Sequence, residues 1–149
     1  MRHVLSIAAL FAVVAFMGQT NAADDAKKGK ALCPVAGKPA NPNQTVAYRG
    51  GSVSLCCGGC KAKFTKNPSK YAAKANLQLV STGQAKQVKC PFAGKPVNPA
   101  QSVTVAGTEV KFCCGGCKGK AAKAEGDAQI ELIFNDKSFD KGFKVTKKE

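Results

Sequence analysis

Eight cysteines, arranged as two copies of one spacing, limit the folds open to this chain more than any other feature. Setting Cys33 against Cys90 aligns the chain with itself without a gap, and 17 of the 28 positions from Cys33 to Cys60 are identical. Each copy reads Cys-x22-Cys-Cys-x2-Cys, and together the copies hold every cysteine of the chain: Cys33, Cys56, Cys57, Cys60, Cys90, Cys113, Cys114 and Cys117. The chain therefore contains a duplicated cysteine unit.

Each unit is too small to be stabilised by a hydrophobic core alone. A segment of about 40 residues buries too little apolar surface to offset the entropy lost on ordering its chain, so such domains usually rely on disulfides or a structural metal. The cysteines predict one of these two solutions. An oxidising compartment would favour disulfides.

Three local features favour metal binding over disulfides. The Cα atoms of an adjacent pair such as Cys56-Cys57 are about 3.8 Å apart, below the usual disulfide range. The glycines of Cys-Gly-Gly-Cys let backbone N–H groups turn toward sulfur, and a helix starting there favours thiolates through its dipole. A first cysteine on a Pro/Gly loop and the others at a hairpin-to-helix junction are typical of thiolate zinc sites.

The N-terminus has the pattern of a secretory signal peptide over residues 1–22. A basic Met1-Arg2-His3 start precedes an apolar run from Val4 to Phe16, and small residues follow at Ala22-Ala23. The apolar run is too short to cross a bilayer, and no other segment of the sequence is apolar enough. We therefore expect a periplasmic or secreted protein with no membrane span after cleavage.

Cleavage would remove the only histidine and both methionines, His3, Met1 and Met17. Catalytic devices that need imidazole are then excluded, as are haem attachment and mixed Cys/His zinc sites. We therefore predict a protein that is not an enzyme and whose metal ligands are thiolates. The Cys-Gly-Gly-Cys motifs leave one enzymatic alternative, a thiol-disulfide oxidoreductase.

The charge balance is strongly basic. The chain has 23 Lys and Arg against 9 Asp and Glu, a formal net charge of +14 that becomes +13 once Arg2 is lost. A lysine surface of this kind keeps an exported protein soluble and predicts contact with anionic envelope components. Nucleic acid is not expected as a partner, because aromatic residues for base stacking do not alternate with the basic ones.

The two copies share one order of predicted elements. A Pro/Gly-rich loop is followed by a β-hairpin, with strands at 45–48 and 52–55 in the first copy and at 102–105 and 109–112 in the second. The cysteine-rich loop then leads into a short helix, interrupted at Asn67-Pro68 in the first copy. Apolar runs at 77–80 and 130–134 are predicted to be strands.

These elements define the expected domain organisation. The prediction comprises a signal peptide at 1–22, a flexible segment at 23–32, metal-binding modules at 33–80 and 90–134, a linker at 81–89 and a basic tail at 135–149. The expected fold class is small α+β, with two tandem modules stabilised by metal.

The flanks of the cysteines resemble the YHS and TRASH-type treble-clef domains, which bind and traffic heavy metals. Their pattern is Cys-x19-22-Cys-x3-Cys, matched here by Cys33, Cys56 and Cys60 and, in the second copy, by Cys90, Cys113 and Cys117. The first copy also carries family-like segments at 48–51, 60–64 and 67–71. The resemblance covers most of residues 33–71 and 90–117, and it implies treble-clef-like modules with a role in metal trafficking.

The sequence departs from this family at the start of each copy. Many such domains begin Cys-Pro-x-Cys-Gly, whereas Ala36 and Ala93 stand at the second cysteine position here. Cys57 and Cys114 are candidate replacements, which would give four thiolates per site. Four thiolates suit tetrahedral zinc and three suit copper(I), so zinc or copper(I), about one ion per module, is predicted.

The sequence thus favours an exported metal-binding protein whose two cysteine-only sites serve metal trafficking, sequestration or resistance. A periplasmic interaction module held by disulfides is the main alternative. The oxidoreductase that would use the Cys-Gly-Gly-Cys motifs is the other.

Overall fold

The computed structural model describes residues 31–146, so the predicted signal peptide and residues 23–30 lie outside the described part. Between these limits the chain has a small α+β fold with five α-helices and three two-stranded sheets. None of the helices in this range is both long and apolar enough to cross a bilayer.

The first copy supplies the elements up to residue 87. They are β1 (Thr45–Tyr48), β2 (Gly51–Ser54), α1 (Gly58–Lys66), a 3₁₀ helix (Pro68–Tyr71), α2 (Ala72–Ser81) and β3 (Ala85–Gln87). The second copy supplies β4 (Asn98–Val105), β5 (Thr108–Phe112), α3 (Gly115–Ala122), α4 (Gly126–Phe134), α5 (Asp136–Gly142) and β6 (Phe143–Val145).

Both predicted hairpins are confirmed, and both turn in the same way. The two residues between β1 and β2 are Arg49 and Gly50, with φ of 51° and 83°, and those between β4 and β5 are Ala106 and Gly107, with φ of 46° and 79°. Positive φ at both central residues is the requirement of a type I′ turn, whose twist matches that of paired strands. In both copies the second strand of the hairpin leads to a cysteine pair.

A helix at each cysteine-rich segment is confirmed, but it begins at Gly58 and at Gly115, inside the segment predicted to be a loop. In the first copy α1 ends at Lys66, and Asn67 begins the 3₁₀ helix by accepting a hydrogen bond from the Lys70 N–H. Pro68 occupies the first position of that helix, where its missing N–H costs nothing. The predicted interruption at Asn67-Pro68 is therefore present.

The strands predicted at 77–80 and 130–134 are wrong, because these segments belong to α2 and α4. Seven of the ten residues of α2 are buried, so the helix is covered on nearly every side. A short apolar run of this kind does not distinguish a buried helix from a strand. The alanine-rich start of α2, at residues 72–75, favours the helix.

The segments predicted to be a linker and a tail contain regular structure. β3 lies in the predicted linker and pairs antiparallel with β6, which lies with α5 in the predicted tail. Phe139 and Phe143 are buried and stack with their ring centroids 5.4 Å apart. The basic composition of residues 135–149 suggested a tail, although Phe139 and Phe143 fix this segment to the core.

The two copies share a single hydrophobic core. Buried residues of both hairpins and of α2, α4 and α5 form one contiguous cluster, and α2 packs against α4. Arg49, in the first hairpin turn, forms ion pairs with Asp136 and Asp140 and lies 5.0 Å from the centre of the Phe139 ring. The C-terminal segment is thus packed against elements of both copies.

Gly142 shows how closely this segment approaches the second cysteine unit. A Cβ atom at position 142 would lie 2.8 Å from the Cα and 3.0 Å from the nitrogen of Pro91, which follows Cys90. The Gly142 carbonyl also accepts hydrogen bonds from the N–H groups of Val88 and Lys89, at 2.8 and 3.1 Å. Only glycine fits here without a shift of backbone.

We therefore expect Gly142→Ala to lower the free energy of unfolding by about 1–3 kcal/mol, the usual cost of overpacking a buried contact. Gly119→Ala is the matched control, because a Cβ at this position of α3 meets no heavy atom within 4 Å. The control should raise stability by up to about 1 kcal/mol through helix propensity. Denaturant unfolding measures both, and equal stabilities would contradict the close contact.

Candidate metal centres

Each copy brings three of its four cysteines together. The Sγ atoms of Cys33, Cys56 and Cys60 all lie within 4.8 Å of one another. In the second copy Cys90, Cys113 and Cys117 form a group that meets the same limit. We refer to these two groups as the first and second triads. No carboxylate belongs to either triad, as the sequence predicts.

The first sulfur of each triad is held by a tight turn. The Cys33 N–H donates to the Lys38 carbonyl at 2.7 Å, and the Gly37 N–H donates to the Cys33 carbonyl at 2.8 Å. Gly37 has a φ of 67°, which only glycine adopts without strain. The second copy repeats the turn, with Cys90 bonded to Lys95 at 2.9 Å and to Gly94 at 2.8 Å.

The other two sulfurs lie where the hairpin meets the helix. In the first copy β2 ends at Ser54, Cys57 is extended with φ of −159° and ψ of 169°, and α1 begins at Gly58. This places Cys56 just after the strand and Cys60 in the first turn of the helix. Cys114 has φ of −158° and ψ of 167°, so the second copy repeats the junction.

The first thiol of each triad has a lowered pKa. Burial of Cys33 opposes ionisation, but interactions with the backbone N–H groups of Cys56 and Ala36 outweigh it and lower the pKa of the thiol. The pKa of Cys90 is lowered in the same way, against its burial, mainly by the backbone N–H groups of Ala93 and Cys113. Ala36 and Ala93 thus contribute backbone groups where the family pattern has a cysteine.

The third sulfur of each triad holds its proton more tightly. The hydrogen bond with Cys56, together with burial, raises the pKa of Cys60 to about 12. Burial and the hydrogen bond with Cys113 raise the pKa of Cys117 to about 12. Each triad therefore combines one thiol of lowered pKa with a thiol whose pKa is raised, and a metal ion would take the place of the protons of its ligands.

The sulfur separations fit a thiophilic metal ion. Cys56 Sγ lies 3.5 Å from Cys60 Sγ, and Cys113 Sγ lies 3.8 Å from Cys117 Sγ. A zinc ion about 2.3 Å from each sulfur in tetrahedral geometry would separate its ligands by about 3.8 Å. The triads therefore have the spacing and donor chemistry of metal sites with three protein ligands, and they do not identify the metal.

Cys57 and Cys114, the fourth candidate ligands, lie outside the triads. Both are exposed, and their Sγ atoms lie 3.8 Å from those of Cys56 and Cys113, respectively. Each residue precedes the first helical residue, where the backbone N–H of Cys60 or of Cys117 lowers the pKa of the thiol. These thiols therefore border the triads on the solvent side.

A buried glutamine joins the two parts of the first site. Gln78, in α2, is 2% exposed. Its Oε1 accepts the Ser54 N–H at 2.7 Å, and its Nε2 donates to the carbonyls of Ser54 and Leu32, both at 2.8 Å. Since Leu32 precedes Cys33 and Ser54 ends the strand before Cys56, Gln78 ties the two sources of sulfur together.

A different glutamine makes the equivalent connection in the second site. Gln87, in β3, accepts the Lys111 N–H at 2.9 Å and donates to the carbonyls of Lys111 and Lys89 at 2.6 and 3.1 Å. Lys89 and Lys111 occupy the positions of Leu32 and Ser54 in the repeat, but Gln87 and Gln78 do not align. The repeat therefore carried no signal for either glutamine, and sequence reasoning missed both.

We expect Gln78→Leu to weaken metal binding at the first triad at least about tenfold, because it leaves partly buried backbone groups of Ser54 and Leu32 unpaired, at up to about 1–3 kcal/mol each. Gln84→Leu is the matched control, since Gln84 makes the same paired bonds to Ser52, at 2.7 and 2.8 Å, without contacting Leu32. Competition with a chromophoric chelator gives both affinities. An equal loss in the two variants would refute the positioning role of Gln78.

No family model, curated protein or solved structure matches this chain. The interpretation of the two triads therefore depends on their own geometry and chemistry.

Proposed function

We propose that this is an exported protein that binds a thiophilic metal ion in each of two cysteine-only sites and serves metal trafficking, sequestration or resistance. The observation that carries the proposal is the presence of two sulfur triads with the same turn, the same junction and nearly equal sulfur separations. Disulfides join sulfurs in pairs, so they do not require three sulfurs to converge on one point. Binding of one metal ion by three cysteines does require it.

The resemblance to the YHS and TRASH-type domains supports the same proposal. In each copy a turn, a hairpin, a cysteine-rich junction and a helix follow one another in the order of a treble clef. With Ala36 or Ala93 at the position of the second family cysteine, three converging cysteines remain in each copy, and the backbone N–H of that alanine lies beside the first of them. We therefore propose treble-clef-like modules of a divergent type.

The donor set bears on the choice of metal. Copper(I) accepts three soft sulfur ligands, so each triad is complete for this ion. Zinc prefers four ligands, so it would recruit Cys57 or Cys114, or a ligand from solution. We propose copper(I) or zinc as the cargo, about one ion per triad.

The proposed location rests on the N-terminal sequence pattern. A periplasmic or secreted protein with this excess of lysine would be attracted to anionic envelope components. Such contacts would hold the protein close to the cell surface, where metal ions are exchanged with the surroundings.

Metal content tests the proposal directly. The mature protein, produced by export into an oxidising compartment, should bind two equivalents of copper(I) or zinc and contain no disulfide. Elemental analysis and the mass of the alkylated protein measure both properties. Four disulfides and no bound metal would instead establish the stapled interaction module, and turnover of a disulfide substrate would establish the oxidoreductase.

The two sites should also be separable by mutation. Cys33→Ser removes the best-stabilised thiolate of the first triad, so the variant should retain one equivalent of metal, bound by the second triad. Cys90→Ser should give the converse result. Native mass spectrometry counts the ions, and loss of both ions from either variant would show that the eight thiols form one shared cluster.

A further inference from the structure

We propose that Cys57 and Cys114 are exchange thiols, through which metal passes between the buried triads and an external acceptor that offers thiolate ligands. This inference rests on the proposed function, since it concerns how metal enters and leaves those sites.

Exposure distinguishes the exchange thiols from the other cysteines. Cys33 is 1% exposed and Cys90 is fully buried, while the remaining triad members are partly covered. Cys57 and Cys114 are the two exposed cysteines of the eight, and each lies 3.8 Å from a triad sulfur. An incoming ligand therefore reaches the exchange thiol before it reaches the triad. A metal ion bound to the exchange thiol can then pass to the triad across the 3.8 Å between the two sulfur atoms.

The two glycines that follow each exchange thiol also support the proposal. Gly58 and Gly59 begin α1 and have no positive φ, so the backbone does not require glycine there. A Cβ at Gly58 would meet no heavy atom within 4 Å, and one at Gly59 would meet only the Cys57 sulfur, at 4.0 Å. Each glycine costs about 1 kcal/mol relative to alanine inside a helix, and somewhat less in the first turn.

The second copy has the same arrangement. A Cβ at Gly115 would lie 3.7 Å from the Gln101 side chain, and one at Gly116 would lie 3.9 Å from the Cys114 sulfur, both ordinary contacts. Packing within the chain therefore does not explain either glycine pair. What the pairs provide is bare backbone beside an exposed thiol, which allows another molecule to approach that sulfur closely.

Ligand exchange by this route balances without a change of oxidation state. The exchange thiol gives up its proton as it bonds to the metal, and the triad cysteine whose metal–sulfur bond breaks takes up a proton. The acceptor's thiols then replace the remaining bonds one by one, including the bond to the exchange thiol. Each acceptor thiol gives up a proton on binding, and each released cysteine takes one up.

Rates and affinities separate an exchange thiol from a structural ligand. The test uses the full mature chain with Cys57→Ser and Cys114→Ser, loaded with copper(I), the ion for which each triad is complete without these thiols. Equilibrium affinity should stay within about threefold of wild type, since the triads remain, while transfer to the tagged metal-free form of the same chain should slow at least about tenfold. Native mass spectrometry follows the transfer.

Two results would overturn the inference. One is an affinity loss as large as that of Cys56→Ser, which would make Cys57 a structural fourth ligand. The other is an unchanged transfer rate. If the wild-type chain binds no metal at all, the proposed function fails and the inference fails with it, so the two failures are distinguishable.

The glycines provide a second test that does not alter any thiol. Replacing all four, Gly58, Gly59, Gly115 and Gly116, by alanine should raise the melting temperature through helix propensity and leave the affinity unchanged. Transfer to the tagged chain should slow more than transfer to a small chelator, because only the larger acceptor needs the bare backbone. Gly119→Ala is the control, and identical transfer rates in all three proteins would refute the role of the glycines.

Discussion

The convergence of three sulfurs from two separate stretches of chain is the constraint on which the rest of this structure depends. Cys33 comes from a turn more than twenty residues before Cys56 and Cys60, so the turn must be held against the strand-to-helix junction. At this meeting point burial opposes ionisation of the Cys33 thiol, but the backbone N–H groups of Cys56 and Ala36 lower its pKa. The hairpin and the helix then set the directions of the other two sulfurs.

The surrounding fold supplies what a unit of this size lacks. One hydrophobic core runs through both copies, and β3 and β6, which follow the helices of the two copies, pair with each other. The arrangement resolves the size problem that the sequence poses, because apolar burial is shared between the copies instead of being completed in each. Gly142 and the β3–β6 pair extend that support to the second triad.

The sequence predicted the parts of this structure that have strong local signals. The hairpins follow from β-branched runs around Gly50 and Gly107, and a helix after each cysteine pair follows from the cysteine-rich segment. The helical state of residues 77–80 and 130–134 could not be read from such short apolar runs, because four or five residues do not distinguish a helix from a strand. Residues 77–79 are all buried, whereas in α4 only Ile130, Ile133 and Phe134 are. The order in residues 135–145 depends on two phenylalanines whose burial is a tertiary effect.

The candidate site, too, was predicted from the sequence only in part. Spacing and repetition identified all eight cysteines, but which three converge depends on where the strand ends and the helix begins, a detail finer than the pattern resolves. The sequence did not indicate a role for Gln78 or Gln87, because the two residues stand at unrelated positions in the repeat. One lies on a helix and the other on a strand. Two different supports thus produce one sulfur geometry. The triad, and not the framework behind it, is therefore the unit that the duplication repeats, and the exposed Cys57 and Cys114 belong to that repeated unit.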